Sequence, residues 1–256
     1  MAEFLPRNVQ APSAGRVGGR ANIDEGLRSY MLRVYNYMGL GVAFTAVVVL
    51  ALMNNPVLMK TIALGPGKWV LFAGILGLGW FAPRIIYSGS AVVAHGAYWL
   101  YAAMWGALIS PMVFAFFAKG MGHLVGKALL MTAVTFGAVS LYGYTTKRDM
   151  TGWGGFLSMA TIGLLVVSLG SFFFITDPGT SKMFSLAISC IVVLLFSAVT
   201  AWETQQVKDM YLNSAMYGGE ASIGRSAIFG AFILYGSFVT LFTHLLNILG
   251  ILGGDE

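Results

Sequence analysis

Four polar side chains recur along the last apolar segment of the chain at the spacing of one helical face. They are Ser237, Thr240, His244 and Asn247, at intervals of three, four and three residues. At 100° per residue they form one narrow stripe, while the rest of the segment is mostly Leu, Ile, Phe and Val. Such a stripe can line a route for ions, and His244 can change charge near neutral pH. It can equally provide interhelical hydrogen bonds that only stabilise the fold.

A carboxylate and a guanidinium form a second pair of candidates. Glu203 lies near the end of one long apolar run, and Arg84 lies at the end of an earlier one. Opposite charges at similar depth stabilise each other, because each lowers the cost of removing the other from water. Their contact is one interpretation of this placement. The other is that Glu203 is an interfacial carboxylate that extends to water.

The composition shows which elements must position these residues. Hydrophobic residues make up 57% of the 256 residues and charged residues 10%, with a mean hydropathy of +0.78. This leaves too little polar surface for a soluble particle. Because runs of about 18 or more uncharged apolar residues indicate membrane spans, we predict an all-α polytopic membrane protein with seven transmembrane helices. Their limits are about 34–54, 68–87, 93–117, 127–146, 154–175, 183–205 and 226–250. A polar stripe facing lipid is costly, so the last helix should turn its stripe toward other helices or water.

The two ends of the chain differ from its apolar middle. Residues 1–30 are rich in Gly, Ala, Pro and Arg, which predicts a disordered cytoplasmic tail. Residues 31–252 then form the seven-helix transmembrane domain. Ten of the fifteen Lys and Arg residues lie in the tail and in alternate connections, on the side that the positive-inside rule assigns to the cytoplasm. An odd number of spans places the C-terminus outside.

The spacing of charged and reactive residues argues against several functional classes. The net charge is +5, but the basic residues fall singly or in pairs at the ends of apolar runs, which is typical of membrane loops and not of a nucleic-acid-binding face. No span carries a Glu-x-x-His or His-x-x-x-His pair. No nucleophile can be paired with a base. We therefore predict a protein that is not an enzyme, has no resident cofactor, does not bind nucleic acid and has the lipid bilayer as its main partner.

Four short segments carry the most specific signal in the chain. The first is LYGYTTKRD, residues 141–149, between the fourth and fifth spans. The others are YMLRVY at residues 30–35, AWETQ at residues 201–205, and residues 241–250 in the last span. Together these segments resemble the bacterial branch of the Bax inhibitor family, also called the transmembrane Bax-inhibitor-motif family.

The resemblance implies a fold in which the last helix is central and the other six surround it, in a bacterial inner membrane. It implies a pH-sensitive calcium leak and, for some bacterial members, modulation of a membrane-bound AAA protease. In calcium-leak relatives a carboxylate ending span six and a second one in span seven sense protons, and an arginine ending span two latches to the first. These positions correspond to Glu203, Ser237 and Arg84. Because Ser237 cannot ionise, the two-carboxylate sensor is incomplete in this chain.

Two functional predictions compete. The first is a passive, pH-influenced cation leak channel with calcium as the transported ion. Its gate and ion pathway comprise Glu203, Arg84, Ser237, Thr240, His244 and Asn247. Glu203 attracts the cation at the inner mouth and binds calcium weakly, because one carboxylate is a poor ligand set, while Arg84 competes for Glu203 in the closed state. The alternative is a membrane-embedded regulator of a membrane protease or another membrane complex, without transport activity.

The predicted orientation can be tested directly. A reporter that is active only in the cytoplasm should be inactive when fused after Glu256, because the positive-inside rule places that end outside. The same reporter fused before Met1 should be active. Activity of the C-terminal fusion would contradict the predicted orientation.

Overall fold

A computed structural model of the protein describes residues 14–174, 177–217 and 219–253. Within these residues the chain forms eight helices and no strand. The helices are α1 Ala14–Met53, α2 Pro56–Ala63, α3 Gly67–Ser88, α4 Ala91–Ala118, α5 Gly122–Thr145, α6 Trp153–Phe174, α7 Pro178–Tyr217 and α8 Gly219–Leu252. Seven of them are long and apolar enough to cross a bilayer, and α2 is not. The predicted fold class, an all-α polytopic membrane protein with seven spans, is therefore confirmed.

Several helices extend beyond the predicted limits. α1 begins at Ala14, so residues 14–30 of the predicted tail have helical backbone, and Tyr30 is buried in the core. Residues 1–13 of that tail lie outside the described residues. α7 continues to Tyr217, well past the predicted end of its span near residue 205. Glu203 therefore lies inside a long helix and not at the end of one.

The last helix is the centre of the bundle. Its most apolar window is 72% buried, against 33% or less for each of the other six spans. α8 contacts α1, α3, α4, α5 and α7, whereas α6 lies outside this ring and packs against α7. Because α8 is enclosed by protein, even its apolar residues Leu241 and Leu246 have no exposed surface. Polar groups on this helix are consequently kept away from lipid, where they would be costly.

A close approach of two backbones brings α5 beside the segment that carries Glu203. A Cβ atom on Gly143 of α5 would lie 2.2 Å from the carbonyl oxygen of Ala201 on α7. Only a residue without a side chain fits here, as at other close helix contacts in membranes. Gly143 thus allows α5 to pack on α7 two residues before Glu203.

We expect Gly143→Ala to lower the melting temperature of the detergent-solubilised protein. The added methyl group would meet backbone that can move only if α5 and α7 separate, and overpacking of this kind typically costs about 1–3 kcal/mol. Gly126→Ala is the matched control on α5, because a Cβ atom there meets nothing within 4 Å. Equal melting temperatures for the two variants would show that the α5–α7 contact does not depend on Gly143.

Candidate functional site between the last two helices

The centre of the site is a hydrogen bond between α8 and α7. Ser237 Oγ donates to Glu203 Oε2 at 2.6 Å, within the range of a charge-assisted O–H···O bond. Ser237 is 2% exposed, and Glu203 is partly buried. The two residues that the resemblance matched to a carboxylate pair are therefore in contact. In this chain the contact contains one ionisable group.

A chain of hydroxyl groups lies beside Glu203 and joins three helices. The Tyr35 hydroxyl of α1 is 2.7 Å from Ser140 Oγ of α5, which is 2.9 Å from Thr204 Oγ1 of α7. Thr204 in turn donates to the carbonyl oxygen of Thr200 at 2.7 Å. Hydrogen bonds in a low-dielectric interior are strong and costly to break. These hydroxyl contacts therefore help to hold α7 in the rotation that directs the neighbouring Glu203 toward α8.

Gln205 connects the site to the segment between α5 and α6. Its Oε1 accepts from Met150 N at 2.7 Å, and its Nε2 donates to Arg148 O at 2.9 Å. Within the same connection Asp149 accepts from the backbone of Thr151, and its hydrogen bonds with Thr151 hold the pKa of Asp149 below its ordinary value. Gln205 was not among the predicted site residues. The signal that could have found it is that the two family-like segments, residues 141–149 and 201–205, meet here.

The part of the stripe nearer the C-terminus also lies against α7. His244 Nδ1 is 3.0 Å from Ser189 Oγ, and Asn247 Nδ2 donates to Ser185 Oγ and to Ser189 Oγ, each at 2.8 Å. These residues open onto a cavity of about 390 Å³ between α6, α7 and α8, which is lined further by Ser168, Ser171 and Ser181. Thr240 is partly buried and donates to the carbonyl oxygen of Gly236 in its own helix. The stripe thus faces protein, as its cost in lipid predicts.

Arg84 stands apart from this arrangement. It is exposed, and in the part of the chain that the structure describes no ion pair joins it to Glu203, which contacts Ser237 instead. The reason is the helical phase of α3, which continues through Pro83 and buries Ala82 and Ile86. Two residues from each of these, Arg84 is rotated by about 200° and points away from the bundle. The predicted closed-state contact between Arg84 and Glu203 is absent from this conformation.

The ligand set available to a metal ion at this site is small. Among the described residues no group of three or more His, Cys, Asp or Glu side chains could hold a metal ion. Calcium prefers six to eight oxygen ligands. Glu203 and Ser237 supply carboxylate and hydroxyl oxygens, so water would have to complete the coordination of a cation here.

The fold and the site together define a polytopic helical membrane protein whose central last helix carries a buried polar seam. The family described as inhibitor of apoptosis-promoting Bax1 matches residues 27–254. This match covers the whole seven-span bundle, and the chain belongs to this Bax inhibitor family.

Similar bacterial proteins cover most of the chain. An uncharacterized protein of Rickettsia prowazekii is 34% identical over 228 residues, which is 89% of this chain and 91% of the relative. An uncharacterized protein of Caulobacter vibrioides is 34% identical over 240 residues, covering 90% of this chain and 91% of the relative. The inner membrane protein YbhL of Escherichia coli is 33% identical over 186 residues, covering 72% of this chain and 76% of the relative.

We expect Ser237→Ala to destabilise the folded protein by about 1–3 kcal/mol, because it removes the hydroxyl group that donates a hydrogen bond to the partly buried carboxylate of Glu203. Thermal unfolding in detergent would measure the loss. Thr240→Val is the matched control, since it also removes a single hydroxyl from the stripe, but one that bonds only within its own helix. If both variants lose the same stability, the Ser237–Glu203 bond has no special role in holding α7 to α8.

Proposed function

We propose that the protein is a passive cation leak channel, with calcium as the transported ion and a route along the seam between α7 and α8. The observation that carries this proposal is the Ser237–Glu203 contact. Placing a carboxylate in an apolar helical bundle is costly, and ionisable residues in membrane spans commonly mark ion or proton pathways. A route that attracts cations gives Glu203 a role that packing alone does not require.

The polar residues of the two helices follow one line along the seam. From the outer side it begins in the serine-lined cavity with His244 and Asn247, continues past Thr240 and reaches Ser237 and Glu203. Beyond Glu203 lies the connection between α5 and α6 that Gln205 holds. The line thus runs from the outer cavity toward the inner connection, which is the direction of the proposed route.

An apolar stretch of α7 interrupts this line. Val193 and Phe196 fall between Ser189 and Glu203 on the same helical face and pack against the hydrophobic core. A hydrophobic constriction excludes water and ions until the helices around it separate. In this proposal the conformation described here is closed by the apolar stretch and not by an Arg84–Glu203 contact, and opening requires α7 to move relative to α8.

The chemistry of the route favours a hard cation. The side chains named along it offer carboxylate, hydroxyl and amide oxygens, which are the ligand types that calcium prefers. A single carboxylate supports weak binding, which suits a leak because the ion must also leave. The excess of Lys and Arg on one set of connections supports an N-terminus in the cytoplasm and Glu203 at the inner mouth, with the protein in a bacterial inner membrane.

The decisive experiment measures calcium flux into liposomes that contain the purified protein, across a range of pH. Acidification should increase the wild-type flux, because protonation of Glu203 replaces a charge-assisted hydrogen bond with a weaker neutral one. Glu203→Gln should remove the gate and the cation site together, so its flux should not respond to pH through this site. Asp209→Asn, which neutralises an exposed acid on the same helix, is the control and should keep the wild-type pH profile.

Two results would contradict the proposal in different ways. Wild-type flux with an unchanged pH profile in Glu203→Gln would reject Glu203 as the gate and leave His244 as the next titrating residue to test. Absence of flux from folded wild-type protein at every pH would reject the channel. That second result would favour the alternative, a regulator of a membrane protease or another membrane complex.

A further inference from the structure

A lateral cleft separates α1 from α5 on the surface of the bundle. Over their described lengths the backbones of these two helices do not come into contact, and both pack against α8. The inner part of the cleft has a volume of about 490 Å³, and its walls include Met31, Leu32 and Met38 of α1 and Phe136 and Leu141 of α5. A second apolar cavity of about 210 Å³ lies farther toward the outer side, between α1, α4, α5 and α8.

We propose that this cleft binds an anionic glycerophospholipid from the inner leaflet, with an acyl chain between α1 and α5. Membrane spans form both walls, so lipid is the molecule that the cleft meets at the highest concentration. From residue 28 to residue 38 the helix rises about 15 Å, which equals half of the roughly 30 Å hydrocarbon core. The cleft therefore has the height of one lipid leaflet.

The walls suit an acyl chain and offer little to a polar ligand. Met31 and Met38 are flexible apolar side chains that adapt to irregular partners. The hydroxyl groups of Tyr35 and Ser140, which also line the cleft, are hydrogen-bonded to each other at 2.7 Å. A Cβ atom on Gly137 would meet nothing within 4 Å, so the cleft is open at this point of its wall.

The inner end of the cleft carries one arginine. Arg28 is exposed and is the one charged residue in the cleft lining. Behind Tyr144, which also lines the cleft, Lys208 Nζ donates to Tyr144 O at 3.4 Å. Basic pockets between spans on the cytoplasmic side bind anionic headgroups. Because the acid Asp209 lies near Lys208, the headgroup contact is assigned to Arg28.

The lipid would also cover the polar group nearest to the site. Its chain would lie over the Tyr35–Ser140 hydrogen bond, and Ser140 bonds Thr204 beside Glu203. In bare hydrocarbon this pair would contact a succession of mobile chains. A single bound acyl chain would instead stay packed against the Tyr35–Ser140 pair. The lipid would therefore be part of the structure that positions Glu203.

Native mass spectrometry of the full chain in mild detergent tests the proposal. Phosphatidylglycerol should bind more tightly than phosphatidylcholine, and Arg28→Gln should weaken phosphatidylglycerol binding about five-fold, in line with the usual contribution of one basic residue at a membrane surface. Gly137→Leu should reduce binding of both lipids, because the side chain fills the cleft. Both effects are read as bound mass, so they do not depend on whether the protein conducts cations.

Matched variants separate the cleft from general effects on the membrane surface. Arg33→Gln removes an exposed arginine of α1 that does not line the cleft, and Gly126→Leu adds the same side chain at an open position of α5. Both should bind phosphatidylglycerol as the wild type does. Equal binding of the two lipids, or equal effects of cleft and control variants, would overturn the proposal. It would also be overturned if Gly137→Leu left lipid binding unchanged and instead disrupted self-association, which would assign the cleft to a second copy of the chain.

Discussion

The bond between Ser237 and Glu203 determines how the two helices of the seam can meet. Hydrocarbon offers no partner to a carboxylate, so Glu203 has to face another polar group, and α8 supplies it at Ser237. That requirement fixes the rotation of α7 about its axis. With α7 so placed, Ser185 and Ser189 reach Asn247 and His244, and Thr204 reaches the hydroxyl chain that extends to α1. The central position of α8 suits its polar stripe, which needs protein around it.

A hydroxyl in place of the second carboxylate changes the character of the site. Two carboxylates in contact compete for one proton, and the charge of each depends on the other. Ser237 can donate a hydrogen bond at any protonation state of Glu203, so the contact persists through titration with altered strength. The strength of the Ser237–Glu203 contact should therefore change gradually with pH. A pair of carboxylates would instead change from sharing one proton to repelling each other.

The sequence alone predicts the number of spans and the helical face of the polar stripe, because both depend on simple patterns of hydrophobicity. It carries much less about helix length, since polar residues such as Gln205 and Lys208 end an apolar run without ending α7. The position of Arg84 was missed for a related reason. The sequence shows how deep Arg84 lies along its span, but the direction of its side chain depends on which face of α3 packs against the bundle. Ala82 and Ile86 lie on that buried face. The cleft between α1 and α5 has no local signal, because it arises where two helices fail to touch.

The placement of α6 makes it the span that is least firmly held in the bundle. Every other span packs against α8, whereas α6 is held through α7. A force along the membrane plane, from lateral tension or a change in bilayer thickness, would displace α6 at a smaller energetic cost than any helix of the inner ring. Since α6 closes one side of the serine-lined cavity at His244 and Asn247, such a displacement would change the width of that cavity first. A change in the mechanical state of the bilayer would thus act most directly on the end of the seam that carries His244 and Asn247.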